Sequence, residues 1–126
     1  KTQHYANKPR RKTINAATRE HQYAAYLETW RRKVEQIGNL NYPEEARRRK
    51  LYGSLVLHVA VRADGSVERI RVLSSSGHQA LDDAAIAIVN LAAPFAPFPP
   101  DIRKEVDVLD ITRTWKYLRG NRLLSK

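Results

Sequence analysis

The stretch Ser54–Gly77, SLVLHVAVRADGSVERIRVLSSSG, decides how this chain folds. From Ser54 to Arg62, Leu55, Leu57, Val59 and Val61 fall on one parity and Ser54, His58 and Arg62 on the other, the pattern of a strand with one buried face. Asp64-Gly65 is a turn dipeptide, and Val67 to Leu73 reads as the return strand of a hairpin. The hairpin runs into LSSSGHQALDD (Leu73–Asp83), which gathers three serines, a histidine and two aspartates, the residue types of a serine nucleophile with its base and orienting group. No G-x-S-x-G elbow accompanies them. Ser76-Gly77-His78-Gln79 fits an S-x-x-Q capping box, with Asp82 and Asp83 near the positive end of a helix. The run is read as a helix start, and no catalytic residue is assigned.

Downstream, Leu81, Ala84, Ala85, Ile88 and Leu91 or Ala92 share a helical face whose alanines allow close approach to a sheet. Pro94–Pro100, PFAPFPP, can be neither helix nor central strand, and its phenylalanines are expected to fold back on the core. Glu105 to Leu118 reads as a long strand with Leu109, Ile111, Trp115 and Tyr117 on one parity, and Val106 and Val108 on the other call for a bulge near Leu109. Upstream, Tyr23, Leu27, Trp30, Val34 and Ile37 recur at helical spacing in a helix beginning at Thr13 or Thr18. Gly38 is its stop, Arg31, Arg32 and Lys33 suit its last turns, and it is expected to pack on the sheet rather than swing away. Pro43 then opens a short helix to Lys50.

The 126 residues bound one domain with a modest core, and no apolar run is long enough to span a bilayer. With no methionine and Lys1 first, the chain reads as a fragment or a processed piece. Without cysteine there are no disulfides or thiolate metal sites. His4, His21, His58 and His78 are scattered without H-x-x-x-H spacing, so no metal or other cofactor is assigned, and His58 reads as an outward-facing strand residue. The net charge of +10 raises nucleic-acid binding, but residues 1–53 hold 13 Lys/Arg against 5 Asp/Glu while the remainder is nearly balanced. The clusters Arg10–Lys12, Arg31–Lys33 and Arg47–Lys50 read as helix-end and linker charge.

These elements predict an α+β fold: a three-stranded antiparallel sheet in the order second, first, third, with the crossover helix and the short helix on one face and an extra long leading helix. Residues 1–12 read as a basic linker end or tail, 13–38 as the leading helix, 39–118 as the domain proper and 119–126 as a C-terminal tail. The last strand forms the longer free edge.

Tyr42-Pro43 with Ala46 and Gly53, the hairpin Ser54–Gly77, Leu81-Asp82 with Ala84-Ala85, and VDVLDITRTW together resemble the C-terminal domain of TonB, the periplasmic energy transducer of Gram-negative bacteria. The resemblance covers roughly Tyr42 to Tyr117, and YLETWRRKVEQIGNLNYP resembles the longer form with a leading helix. It implies a binding module rather than an enzyme. Such a domain captures the TonB-box peptide of outer-membrane receptors and transmits proton-motive energy from ExbB–ExbD, through an inner-membrane anchor that this chain lacks. The implied peptide site is the last strand (Val106, Val108, Leu109, Asp110, Ile111, Thr112, Arg113 and Trp115), with Asn39, Leu40, Asn41, Tyr42 and Pro43 beside it. Ser76, Gly77, Gln79, Leu81 and Asp82 have a structural part, setting the crossover helix.

Strand addition to an open edge supplies the mechanism, and a proline at Ile111 is expected to abolish it by removing a ladder donor. Self-pairing of that edge would give a homodimer. The alternatives are a TolA-like or other envelope-machine coupling domain and, third, a basic nucleic-acid-binding module.

Overall fold

The computed structural model describes residues 8–126. In chain order its elements are β1 (Arg11–Ile14), α1 (His21–Leu40), α2 (Glu44–Arg49), β2 (Gly53–Arg62), β3 (Val67–Ser74), α3 (Gln79–Ala92), α4 (Pro100–Arg103), β4 (Val108–Leu118) and β5 (Arg122–Ser125). The alternating hydrophobics of β2 and β3 form the expected hairpin, and β4 pairs antiparallel with β2 from Gly53 opposite Tyr117 to Arg62 opposite Val108. The fold is α+β with the three long strands in the expected order, but the sheet is not three-stranded. β1 adds parallel to β4 over Val108–Ile111 and β5 antiparallel over Trp115–Leu118, which makes a five-stranded mixed sheet.

The segments read as tails therefore contribute to strands, β1 running from the end of the first into the start of the expected leading helix, while residues 1–7 lie outside the described residues. RKTI offers no alternation to read, because its single apolar side chain is Ile14. That side chain is wholly buried, so the strand is held by β4 and the core rather than by local propensity. β5 had a local signal: Gly120 and Asn121 stand consecutively at φ 88° and 60°, the left-handed pair that turns a hairpin.

The helix α1 starts at His21, since the chain is extended to Ile14 and then turns, with Asn15 N–H on Thr18 Oγ1 at 2.9 Å and Ala17 N–H on Asn15 Oδ1 at 2.8 Å. It runs through Gly38 instead of stopping there. A Cβ at Gly38 would sit 2.3 Å from Leu123 Cδ2, so the glycine admits β5 to the helix surface. Arg31, Arg32 and Lys33 consequently lie mid-helix. Arg31 is held by Glu28 at 2.6 Å and Glu35 at 2.7 Å, Arg32 by Glu28 at 3.0 Å, and Lys33 donates to Pro94 O at 2.8 Å.

Tyr23, Tyr26, Leu27, Trp30 and Val34 of α1 are buried, joining Leu81, Ala85 and Ile88 of α3 and Leu55, Leu57, Val59, Leu109, Ile111, Trp115 and Tyr117 of the sheet in one core. Ala92 is buried and Leu91 exposed, which fixes the last contact of α3. The proline segment folds back as expected. Phe95 stacks obliquely on Trp30 at 5.6 Å and Phe98 meets Tyr26 edge-on at 5.4 Å, and their backbone N–H groups donate to Gly65 O and Ala63 O at 2.8 and 2.9 Å. Pro100 opens α4. The bulge expected near Leu109 is absent: β4 is in unbroken register with β2, and the irregularities fall between Val56 and Leu57 and between Ala60 and Val61. Val106 precedes the strand and is buried as part of the turn after α4, its N–H on Ile102 O.

Candidate functional site

Strand β4 carries most of the residues expected to meet a partner peptide, and its backbone shows which of them can. Val108 N–H donates to Arg10 O at 3.1 Å, and Thr114 exchanges bonds with Lys126 at 2.8 and 2.7 Å. Backbone groups alternate sides along a strand, so Val108, Asp110, Thr112 and Thr114 face outward, whereas Leu109, Ile111, Arg113 and Trp115 face β2. The Ile111 N–H thus belongs to the β2–β4 ladder. A proline there would damage the middle of the sheet rather than its edge, which corrects the expectation from sequence. Nor is the edge open along its length. The first part is taken by β1, whose parallel register through Ile14 and Ile111 carries the pairing on to the Thr112 N–H, and the last by β5 with Lys126; where the two strands end lies a notch lined by Asn15, Ala17, Thr112, Arg113, Thr114 and Lys126.

The side chains divide by face. Leu109, Ile111 and Trp115 are buried under the helices, and Arg113 lies on the same side with Ser125 O 3.4 Å from its guanidinium. Burial lowers the Arg113 pKa from its ordinary value, and Arg31 nearby adds to this. On the opposite face Asp110 accepts from Arg11 at 2.8 Å and pairs with His58 Nε2 at 2.8 Å. The Arg11 bond holds the Asp110 carboxyl below its ordinary range against the opposing effect of burial, with His58 assisting. His58 lies on the polar face as expected but is only 8 % exposed.

Asn39 to Pro43 do not join Val106–Asp110 in one strip. Asn39 clasps β5, its Oδ1 taking Leu123 N–H at 2.9 Å and its Nδ2 giving to Leu123 O at 3.2 Å. Tyr42 is buried edge-on to Tyr117 with ring centres 5.9 Å apart, its hydroxyl unpaired, and Arg47 lies over its ring. Asn41 closes α1 on Ile37 O, Pro43 leads into α2, and Leu40 is 75 % exposed. This group sits at the Tyr117 end of β4, about 30 Å along an extended strand from Val108. What sequence reasoning missed is Arg10, Arg11 and Ile14 on one half of the edge and Leu123 and Lys126 on the other.

The serine cluster is a structural junction, though not the capping box expected. His78 is the residue before α3 and makes no side-chain cap, and Gln79 bonds Asp83 at 2.7 Å. Asp82 is the hub: it accepts from Ser75 Oγ, from Ser76 N–H at 3.0 Å and from Ser76 Oγ at 2.7 Å. The helix reaches back with an aspartate where the loop was expected to reach forward with a serine. Gly77 supplies φ 90° between them, and Leu81 is buried with its carbonyl on Tyr117 OH at 3.0 Å.

Among the described residues no helix is long and apolar enough to cross a membrane, and no three His, Cys, Asp or Glu side chains converge as ligands. The basic clusters are largely spent on internal pairs, Arg10 with Asp107, Arg11 with Asp110 and Glu68, Arg49 with Glu45.

Comparison with known proteins agrees with this architecture. The TonB protein of Pasteurella multocida is 33 % identical over 84 residues, 67 % of this chain and 32 % of that protein. The TonB protein of Haemophilus influenzae is 35 % identical over 69 residues, 55 % of this chain and 25 % of that protein. The chain thus spans a third or less of these relatives. The solution structure of the Helicobacter pylori TonB C-terminal domain superposes with a TM-score of 0.54 at 25 % identity, covering 81 % of this chain and 95 % of that one. Residues 38–117 match the family described as Gram-negative bacterial TonB protein C-terminal, and the chain belongs to that family.

Proposed function

We propose that this domain works in the periplasm as the receptor-binding end of an energy transducer, capturing the TonB-box peptide of outer-membrane receptors by strand addition to β4 and passing on force generated by ExbB–ExbD at the inner membrane. The reading is of a binding module, not a catalyst. The observation that carries it is that the outer edge of β4 accepts strands in both directions, β1 in parallel and β5 antiparallel. Membership of the TonB family adds the class of partner. Four to six backbone bonds of about 1 kcal/mol each, largely offset by ordering and association costs, favour micromolar-scale affinity. Pairing along the strand spreads a pulling load over several bonds.

Thr112 provides the test, because its N–H faces outward at the end of the β1 pairing, on the side a partner strand would take. Thr112→Pro should weaken binding of a labelled TonB-box peptide at least tenfold while the fold persists by circular dichroism, whereas Ile111→Pro should cost the fold itself. Unchanged affinity in Thr112→Pro would move the partner off this edge. The second reading then gains: among the described residues no strand pairs with the outer side of β3, Val67–Ser74. A TolA-like coupling role would keep the edge and change the partner, so a TonB-box peptide would fail to bind the wild-type chain as well.

A further inference from the structure

Strand β1 stands where a bound peptide would stand. It lies outside residues 38–117, the part matched to the family, whereas the edge it covers lies inside. Besides Lys12, which pairs with Glu20 and lies over the Tyr23 ring, three attachments hold it to the sheet. Arg10 O takes the N–H groups of Asp107 and Val108 at 2.8 and 3.1 Å, and Arg10 N–H returns a bond to Asp107 at 2.7 Å. Arg11 forks between Asp110 and Glu68, at 2.8 and 2.9 Å, bracing β4 against β3 across the polar face. Ile14, three residues on, fills a fully buried slot opposite Ile111. The segment is tied to α1 by residues 15–20, which hold one turn and no regular element.

We propose that Arg10–Ile14 is a built-in occupant of the strand-receiving edge: a partner peptide enters parallel to β4 over Val108–Ile111 by displacing it. This rests on the strand-addition reading above. What the place selects can be read from what fills it: a carbonyl for Val108 N–H, a basic side chain for Asp110 and Glu68, and an aliphatic side chain three residues later for the Ile14 slot. A partner offering R-x-x-I or its equivalent fits, and one running antiparallel puts both side chains out of register. Because β1 is tethered through a short connection, its effective concentration is of order millimolar. A free peptide of similar intrinsic affinity in the ten-micromolar range would bind about 100-fold more weakly than to a bare edge.

The chain has no cysteine, so a single engineered pair can fix the occupant in place. Thr13 and Asp110 are partners across the ladder and line the same polar face, and neighbouring strands about 4.8 Å apart are within disulfide reach. In the full chain carrying Thr13→Cys/Asp110→Cys, which lacks the Asp110 carboxylate in both redox states, the oxidised form should bind a labelled TonB-box peptide at least tenfold more weakly than the reduced form. Arg11→Glu, which sets a carboxylate against Asp110 and Glu68, should bind that peptide at least tenfold more tightly than wild type. It should also capture a labelled peptide of the chain's own residues 8–15, KPRRKTIN, which the wild type leaves free. Equal affinity in the oxidised and reduced forms overturns the occupant while leaving strand addition standing elsewhere. Absence of TonB-box binding in wild type, reduced double variant and Arg11→Glu alike overturns the strand-addition reading and the occupant with it.

Discussion

At the scale of single residues, two carboxylates hold local structure and each makes a prediction. Asp82 is 8 % exposed and takes every bond it can from Ser75 and Ser76; burial raises its pKa, and these bonds outweigh it to leave the carboxyl below its ordinary range. Asp82→Asn leaves one acceptor oxygen where two served, so either Ser75 Oγ or the Ser76 N–H and Oγ must lose their acceptor, and should cost about 1–3 kcal/mol in urea denaturation. A loss under about 0.5 kcal/mol, the range of surface substitutions, would show that the junction does not depend on this hub. Glu28 is pulled from 4.5 to about 2, chiefly by the Arg31 guanidinium against the effect of burial, with Arg32 assisting. A depressed carboxyl contributes stability that is complete above the unfolded value near 4.5 and is lost as pH falls toward 2. The side chain is 45 % exposed, so solvent screening keeps this below about 1 kcal/mol. Melting curves between pH 5 and 2 should fall less steeply for Glu28→Gln than for wild type, and parallel curves would count against the pairing.

At the scale of elements, the hairpin and the proline segment depend on each other. Gly65 turns the β2–β3 hairpin at φ 90°, and a Cβ there would lie 2.0 Å from Phe95 O, the carbonyl of the residue whose N–H bonds Gly65 O. Gly65→Ala therefore meets a left-handed backbone and a backbone clash together, and should destabilise the fold by more than about 2 kcal/mol. Chemical denaturation gives the magnitude, and loss of the Trp30–Phe95 contact should appear as changed tryptophan fluorescence. A stable Gly65→Ala protein with native fluorescence would mean the turn and the proline segment are independent. The elements with strong local signals, Leu55–Val61, Val67–Leu73 and the Leu81–Ala92 face, were legible in the sequence because burial and periodicity coincide there. β1 and the capping junction were not. Ile14 gains its burial only when β4 is present, and Asp82 reaches back across a turn that a forward-reading S-x-x-Q pattern does not describe.

At the scale of the whole molecule, the exposed edges decide whether copies of the chain associate. A free β4 edge predicts a strand-paired dimer from sequence, but β1 and β5 cover that edge, and the Asn39 amide occupies Leu123 on the outer side of β5. The long edge that remains among the described residues is β3, and its side chains oppose self-pairing. In a two-fold antiparallel arrangement centred on Ile70, Arg69 of each copy falls opposite Arg71 of the other, and neither arginine has an ion-pair partner among the described residues to neutralise it. Like charges on an edge are a known device against such pairing. Light scattering over a concentration series should therefore give 14.5 kDa throughout. Arg69→Thr/Arg71→Thr, which removes the repulsion and adds two strand-favouring side chains, should shift the mass upward at the highest concentrations. A wild-type mass of twice the monomer would require that β1 or β5 exchanges between copies, which oxidation of Thr13→Cys/Asp110→Cys resolves on a non-reducing gel: the disulfide links two chains if β1 is exchanged and closes within one chain if β5 is.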